Sequence, residues 1–271
     1  MLRDITLGQY YPTESTLHKM DPRVKLVGTL AFIISLFLFD NVIGYLVATV
    51  FLIVIIKLSK VPFSFMVKGL KAIVILMLIT VVFNLFLTPG DELVSFWKFT
   101  ITKQGLRTAV FMAIRLTYLI VGSSVMTLTT TPNNLTDGME KLLNPLRVIK
   151  VPVHEVAMMM SIALSFIPIL LEETDKIMKA QMARGADFES GNLIKKAKSL
   201  IPLLVPLFIS AFRRANELAM AMEARCYRGG DGRTKMKPLL YKKADYIAYV
   251  CLVVYLAAII SVNFIQFGWL V

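Results

Sequence analysis

The stretch SLIPLLVPLFISAFRRANELAMAMEARCYRGG (Ser199–Gly230) changes character half-way along. Its first part, SLIPLLVPLFISAF, is apolar nearly all round but lacks the unbroken length of a span, which takes about 20 apolar residues. Its second part, RRANELAMAMEARCYRGG, is amphipathic and charged, with Arg213–Glu217 at i,i+4 on an exposed face. A helix written this way starts buried in membrane or protein and emerges as an arm at a water-facing surface. Gly229-Gly230 is expected to end it.

The design occurs once before. AMMMSIALSFIPILL (Ala157–Leu171) is apolar, and EETDKIMKAQMARGADF (Glu172–Phe188) carries i,i+4 pairs at Glu172–Lys176 and Asp175–Lys179. Both arms finish on Ala-x-x-Ala-Arg and a small residue: Ala183-Arg184-Gly185, then Ala224-Arg225-Cys226. One arginine near a helix end has a plain explanation, since it suits the negative end of the macrodipole for roughly 0.3–1 kcal/mol. Capping does not require small neighbours on both sides. Insertion of a tip into a partner's groove does, because bulk beside the arginine would hold the backbones apart. There a guanidinium can grip a carboxylate bidentately, which lysine cannot copy. Two tips imply two grooves.

Composition says what the arms are attached to. Of 271 residues 56% are hydrophobic and 18% charged, with mean hydropathy +0.68. Soluble domains carry about a quarter charged residues. The chain therefore reads as an all-α polytopic membrane protein with about five transmembrane helices plus a cytoplasmic domain of long amphipathic helices, the part that the resemblance given below makes a coupling domain. The spans are placed near Val24–Phe39, Val42–Ile56, Ala72–Leu87, Leu106–Leu128 and Tyr246–Phe267, with Asp40-Asn41 turning a tight hairpin between the first two. The amino-terminal stretch is too polar for a signal peptide, so the first apolar run is retained. Residues 1–128 form an amino-terminal region of four spans, 129–243 the coupling-helix domain, and 244–271 the final span.

Net charge is +12, and the positive-inside rule explains its placement better than a nucleic-acid footprint does. Basic residues at Arg3, Lys19, Arg23, Lys25, Lys57, Lys60, Lys68 and Lys71, and eighteen more between Leu128 and Ala244, put the amino terminus and the coupling domain in the cytoplasm. The loop TPGDELVSFWKFTITKQG, with interfacial Trp97, and the carboxyl terminus then lie outside.

Within 129–243, Thr131-Pro132 opens a helix that runs to Leu143 and stops at Asn144-Pro145. The first arm is expected from His154 to Ala186, interrupted at Pro168. The second is expected from Leu193 to Tyr227, broken near Pro202 and Pro206.

Catalytic constellations are missing from the sequence. It has no Gly-x-x-x-x-Gly-Lys-Ser/Thr loop, and His154-Glu155 lacks the second histidine of a zinc helix. Cys226 and Cys251 match no metal-ligand spacing and read as small buried side chains. No cofactor and no metal are expected. Arg115, the one formal charge well within a span, reads either as a pathway residue or as a side chain snorkelling to the outer headgroups. Asn84 reads as packing glue between helices. Of the 15 methionines, Met158, Met159, Met160, Met178, Met182, Met220 and Met222 lie on the arms. They suit core filling, or a surface that repacks cheaply against several partners.

These stretches, taken with YYPTESTLHKMDPRVKL, TTTPNNLTDGMEKLLNPL and PVHEVAMMMSIALSFIP, resemble the transmembrane T component (EcfT) of energy-coupling factor transporters, the CbiQ-like family. The resemblance covers nearly the whole chain, and the Ala-Arg-Gly tips are its most specific element. It implies a subunit of the cytoplasmic membrane that neither binds the vitamin nor hydrolyses ATP. Its partners would be two ABC-type ATPase subunits (EcfA and EcfA'), a membrane substrate-binding S component and the lipid bilayer. Arg184 would dock in one ATPase and Arg225 in the other; the methionine surface would meet the S component. The second tip departs from the family, with Cys226 where glycine is common, so its helix is expected to continue to Gly229-Gly230. The alternative is a self-contained channel or secondary transporter with a cytoplasmic gating domain, which needs internal repeats of spans and a polar midplane site.

Overall fold

The computed structural model describes residues 10–89, 91–96, 99–186, 188, 198–230, 236 and 238–267. They form α1 (Thr16–Lys19), α2 (Pro22–Ser35), α3 (Val42–Ser59), α4 (Phe63–Leu87), α5 (Lys103–Thr129), α6 (Pro132–Leu143), α7 (Val153–Ala183), α8 (Ile201–Ala224) and α9 (Lys243–Phe267). A two-stranded hairpin, β1 (Glu92–Phe96) with β2 (Phe99–Thr102), stands between α4 and α5. The protein is an all-α polytopic membrane protein. Helices are what lipid demands, because each backbone polar group must find its partner within the segment.

The chain divides into two compact units, Glu140–Pro238 and Gln9–Met139 with Leu239–Val271. In the second unit the core is aromatic. Tyr255 of α9 stacks on Phe51 of α3 at 4.1 Å between ring centroids, and Phe32 of α2 closes the group at 5.9 and 6.1 Å. The Tyr255 and Ser35 hydroxyls share a hydrogen bond of 2.8 Å. Tyr45 of α3 lies parallel to Phe111 of α5 at 5.0 Å, with Phe39 edge-on. The expected tight hairpin of the first two spans is therefore looser than foreseen: α2 packs mainly on α5 and α9, and meets α3 through these rings. Outward rows such as Val50, Ile53 and Val54, or Val250, Val253 and Val254, are exposed apolar surface suited to lipid.

Among the described residues four helices are long and apolar enough to cross a membrane: Val42–Ser59, Lys103–Thr129, Val153–Ala183 and Lys243–Phe264. Ile73–Leu87 is a shorter apolar helix. Three of the four match expected spans. The fourth corrects the sequence reading, because α7 runs unbroken through Pro168. A proline costs a helix about 3 kcal/mol, which a long helix can absorb. Likewise Pro206 lies inside α8, and Pro202 occupies its first turn, where a missing N–H costs nothing. Residues 193–197 of the expected second arm lie outside the described residues. Conversely α2, with 14 residues, rises only about 21 Å.

The loop expected between the third and fourth spans contains the β-hairpin, paired from Phe96↔Phe99 to Glu92↔Thr102 with an irregularity at Glu92/Val94. Its β-branched and aromatic residues carry that preference. Trp97 lies outside the described residues. Thr102 caps α5, accepting from Gly105 N (3.0 Å) while donating to Thr88 O (2.8 Å).

Candidate functional site

Both arms belong to the unit Glu140–Pro238. Gln181 near the end of α7 donates to Pro202 O at the start of α8 (3.3 Å), and Glu173 meets Ser210 and Arg214. As residue numbers rise on one helix they fall on the other. The arms are antiparallel, so the tips point to opposite ends of the pair. Arg225 lies 23 residues beyond Pro202, about 35 Å along α8.

Each tip closes in the same way. At the first, Gly185 N donates to Met182 O and Ala186 N to Gln181 O, both 3.0 Å. At the second, Cys226 N donates to Glu223 O (2.8 Å) and Tyr227 N to Met222 O (3.0 Å). This pair of bonds is the Schellman motif, which satisfies the last carbonyls and turns the chain away from the helix axis. The arginines take the cap position with nearly the same backbone, φ −87° and ψ 4° at Arg184, φ −92° and ψ 13° at Arg225. The next residue is left-handed in both, Gly185 at φ 89° and Cys226 at φ 55°.

That last angle corrects an expectation. The helix was expected to run on to Gly229-Gly230 because cysteine resists the left-handed region. It ends at Ala224, and Cys226 accepts the strained angle. Two capping bonds outweigh roughly 1–2 kcal/mol of backbone strain. The first arm also stops short, at Ala183 rather than Ala186.

Ala183, Arg184, Gly185, Ala224, Arg225 and Cys226 are all exposed. Among the described residues neither guanidinium has a hydrogen bond or ion pair. Of the arm methionines, Met159, Met160, Met182 and Met220 are exposed, and Met158, Met178 and Met222 half-buried. None fills a core. Cys226 and Cys251 are exposed as well, against the expectation of burial.

Sequence reasoning missed three things. The i,i+4 pairs of the arms do not close; Glu173 instead bonds across to Ser210 and Arg214. Secondly, Ile201, Leu204, Val205, Phe208, Ile209 and Phe212 make one exposed apolar row down α8. Their three-and-four spacing was legible. Thirdly, Arg115 binds Phe39 O (3.1 Å) and the Asp40 carboxylate, clasping α5 to the turn after α2. Asn84 bonds to Thr80 O of its own helix (2.8 Å), not across helices.

A helical membrane protein with two long arms is what the fold defines. A family model described as a cobalt transport protein (CbiQ) matches residues 13–236. The curated relatives include three that carry the name energy-coupling factor transporter transmembrane protein EcfT. The one from Clostridium kluyveri is 59% identical over 256 residues, covering 94% of this chain and 95% of its own. That from Thermosediminibacter oceani is 54% identical over 249 residues (92% and 94%). That from Bacillus subtilis is 49% identical over 261 residues (96% and 98%). This chain belongs to the CbiQ family and, within it, to the transmembrane components of energy-coupling factor transporters.

Proposed function

We propose that the chain is the non-catalytic coupling subunit of an energy-coupling factor importer for vitamins or other micronutrients. It carries ATP-driven motion of two ABC-type ATPase subunits to a membrane S component that binds the substrate. ATP hydrolysis belongs to the ATPases. The amino terminus and the arms face the cytoplasm.

One observation carries this reading: two identically capped, exposed tips, each presenting an arginine that has no partner among the described residues and stands between small ones, at opposite ends of an antiparallel helix pair. A tip of this shape is a plug. Opposite ends suit two separate sockets, and a carboxylate in each would answer the guanidinium. The arm methionines and the exposed row of α8 supply the apolar surface that the S component would use.

Arg184→Glu together with Arg225→Glu is expected to abolish co-purification of the ATPases while the chain still inserts in the membrane. Each single reversal should leave partial association, because the other tip remains seated. Full ATPase recovery by the double variant would refute the docking role. Substrate transport by the purified chain alone in liposomes would favour the self-contained channel or carrier instead.

A further inference from the structure

Glu173 accepts hydrogen bonds from Ser210 Oγ and from Arg214 Nε (3.2 Å), and Arg214 Nη2 lies 3.2 Å from the same Glu173 oxygen, Oε2. It is an ion pair between the arms, joining α7 to α8. Glu173 stands eleven residues before Arg184, and Arg214 stands eleven residues before Arg225. Eleven residues are about three turns, or about 16 Å. Each member of the pair therefore shares a helix face with its own tip arginine and lies equally far from it. The side chains are 22% and 38% exposed, so the pair is shielded more than an ordinary surface bridge.

We propose that Glu173, Ser210 and Arg214 form the pin that joins the two antiparallel arms, so that displacing one tip turns the other. This rests on the coupling function above. The three are positioning residues: they touch neither nucleotide nor substrate. Without the pin, two exposed helices would still end in two sound plugs, but each could move alone. A carboxylate flanked by a hydroxyl and a guanidinium fixes the spacing and the register of the two helices together, and the apolar row of α8 has no such directionality.

Two measurements test it. In proteoliposomes holding the chain, both ATPases and an S component, Glu173→Gln is expected to lower uptake about tenfold, within the usual range of coupling energies. ATPase co-purification and ATP turnover should persist. Glu173→Arg should act alike, and Glu173→Arg with Arg214→Glu should restore uptake, since the pair is re-formed in reverse. Uptake unchanged by the single variants, or no recovery in the swapped pair, overturns the proposal. Independently, spin labels at Lys179→Cys and Glu217→Cys, with Cys226 and Cys251 replaced by serine, report the arm spacing in the chain alone in nanodiscs. One narrow distance is expected, broadening in Glu173→Gln and narrowing again in the swap. An unbroadened distance overturns the pin even where the ATPases never bind, whereas loss of ATPase binding by the unaltered chain would strike only the coupling function.

Discussion

Arg225 and Cys226 show how much one residue can settle. Gly185 takes its positive φ without strain, whereas Cys226 holds φ 55° against a steric cost of roughly 1–2 kcal/mol. Cys226→Gly removes that strain and returns part of the gain as unfolded-chain entropy, so about 0.5–1 kcal/mol of net stabilisation is expected. Hydrogen exchange at the Tyr227 amide, which closes the cap on Met222 O, should slow. Faster exchange would mean that Cys226 favours the tip for another reason. The arginines and their small neighbours were plain in the sequence. The left-handed angle was not, because it follows from capping bonds that form only once Met222 and Glu223 are helical. Arg115 teaches the converse: a charge in an apolar run looks unpartnered until folding brings Asp40 to it.

At the scale of elements, α1 is the telling case. Four residues are too few for an independent helix. The segment is held by its side chains: Ser15 caps it, accepting from His18 N (3.3 Å) and donating to His18 Nδ1 (2.6 Å), while His18 Nε2–H donates to Tyr11 O (3.0 Å). With Nδ1 accepting in this way, the imidazole is neutral. Burial is the main cause holding the His18 pKa below its ordinary value, with the Lys25 charge adding to it and the Tyr11 carbonyl opposing. A depressed pKa means the folded segment resists a proton that the unfolded one accepts. Its stability is complete above about pH 6.5 and declines as pH falls toward the folded value. Limited proteolysis of residues 10–20 is expected to speed up between pH 7.5 and 5.5 in the native chain, and less so in His18→Gln; equal rates at both pH values would refute this. Other elements were legible to differing degrees. Thr131-Pro132 marked the start of α6, where Thr131 Oγ1 accepts from Asn134 N (3.4 Å). Pro168 misled, because a proline's local cost says nothing of what a 31-residue helix can bear.

Over the whole chain, a link of long reach centres on Asp245, wholly buried. Its carboxylate accepts Asp21 N (2.8 Å) and Lys242 N (2.7 Å), tying the base of α9 to the start of α2 across 224 residues. Asp21 in turn caps α2 and grips Arg23 bidentately, and Arg23 reaches Leu239 O (3.2 Å) beneath the Tyr241 ring. Asp245→Ala orphans the buried Asp21 amide, at about 1–3 kcal/mol, and frees the half-buried Lys242 amide, which water can reach. A clear fall in melting temperature of the detergent-purified chain is expected, smaller for Asp245→Asn, whose amide oxygen replaces one acceptor. Unchanged melting would show that the link contributes nothing.

The sequence by itself determined that this is a helical membrane protein with two tipped arms, because hydropathy, charge placement and the repeated Ala-x-x-Ala-Arg are properties of residues near one another along the chain. Only the tertiary structure decided that the arms run antiparallel, that Glu173 leaves its own helix for Ser210 and Arg214, and that Asp245 closes on Asp21. Those pairings join residues 37 to 224 positions apart, and no periodicity within a segment reports which distant group will satisfy a buried or half-buried charge.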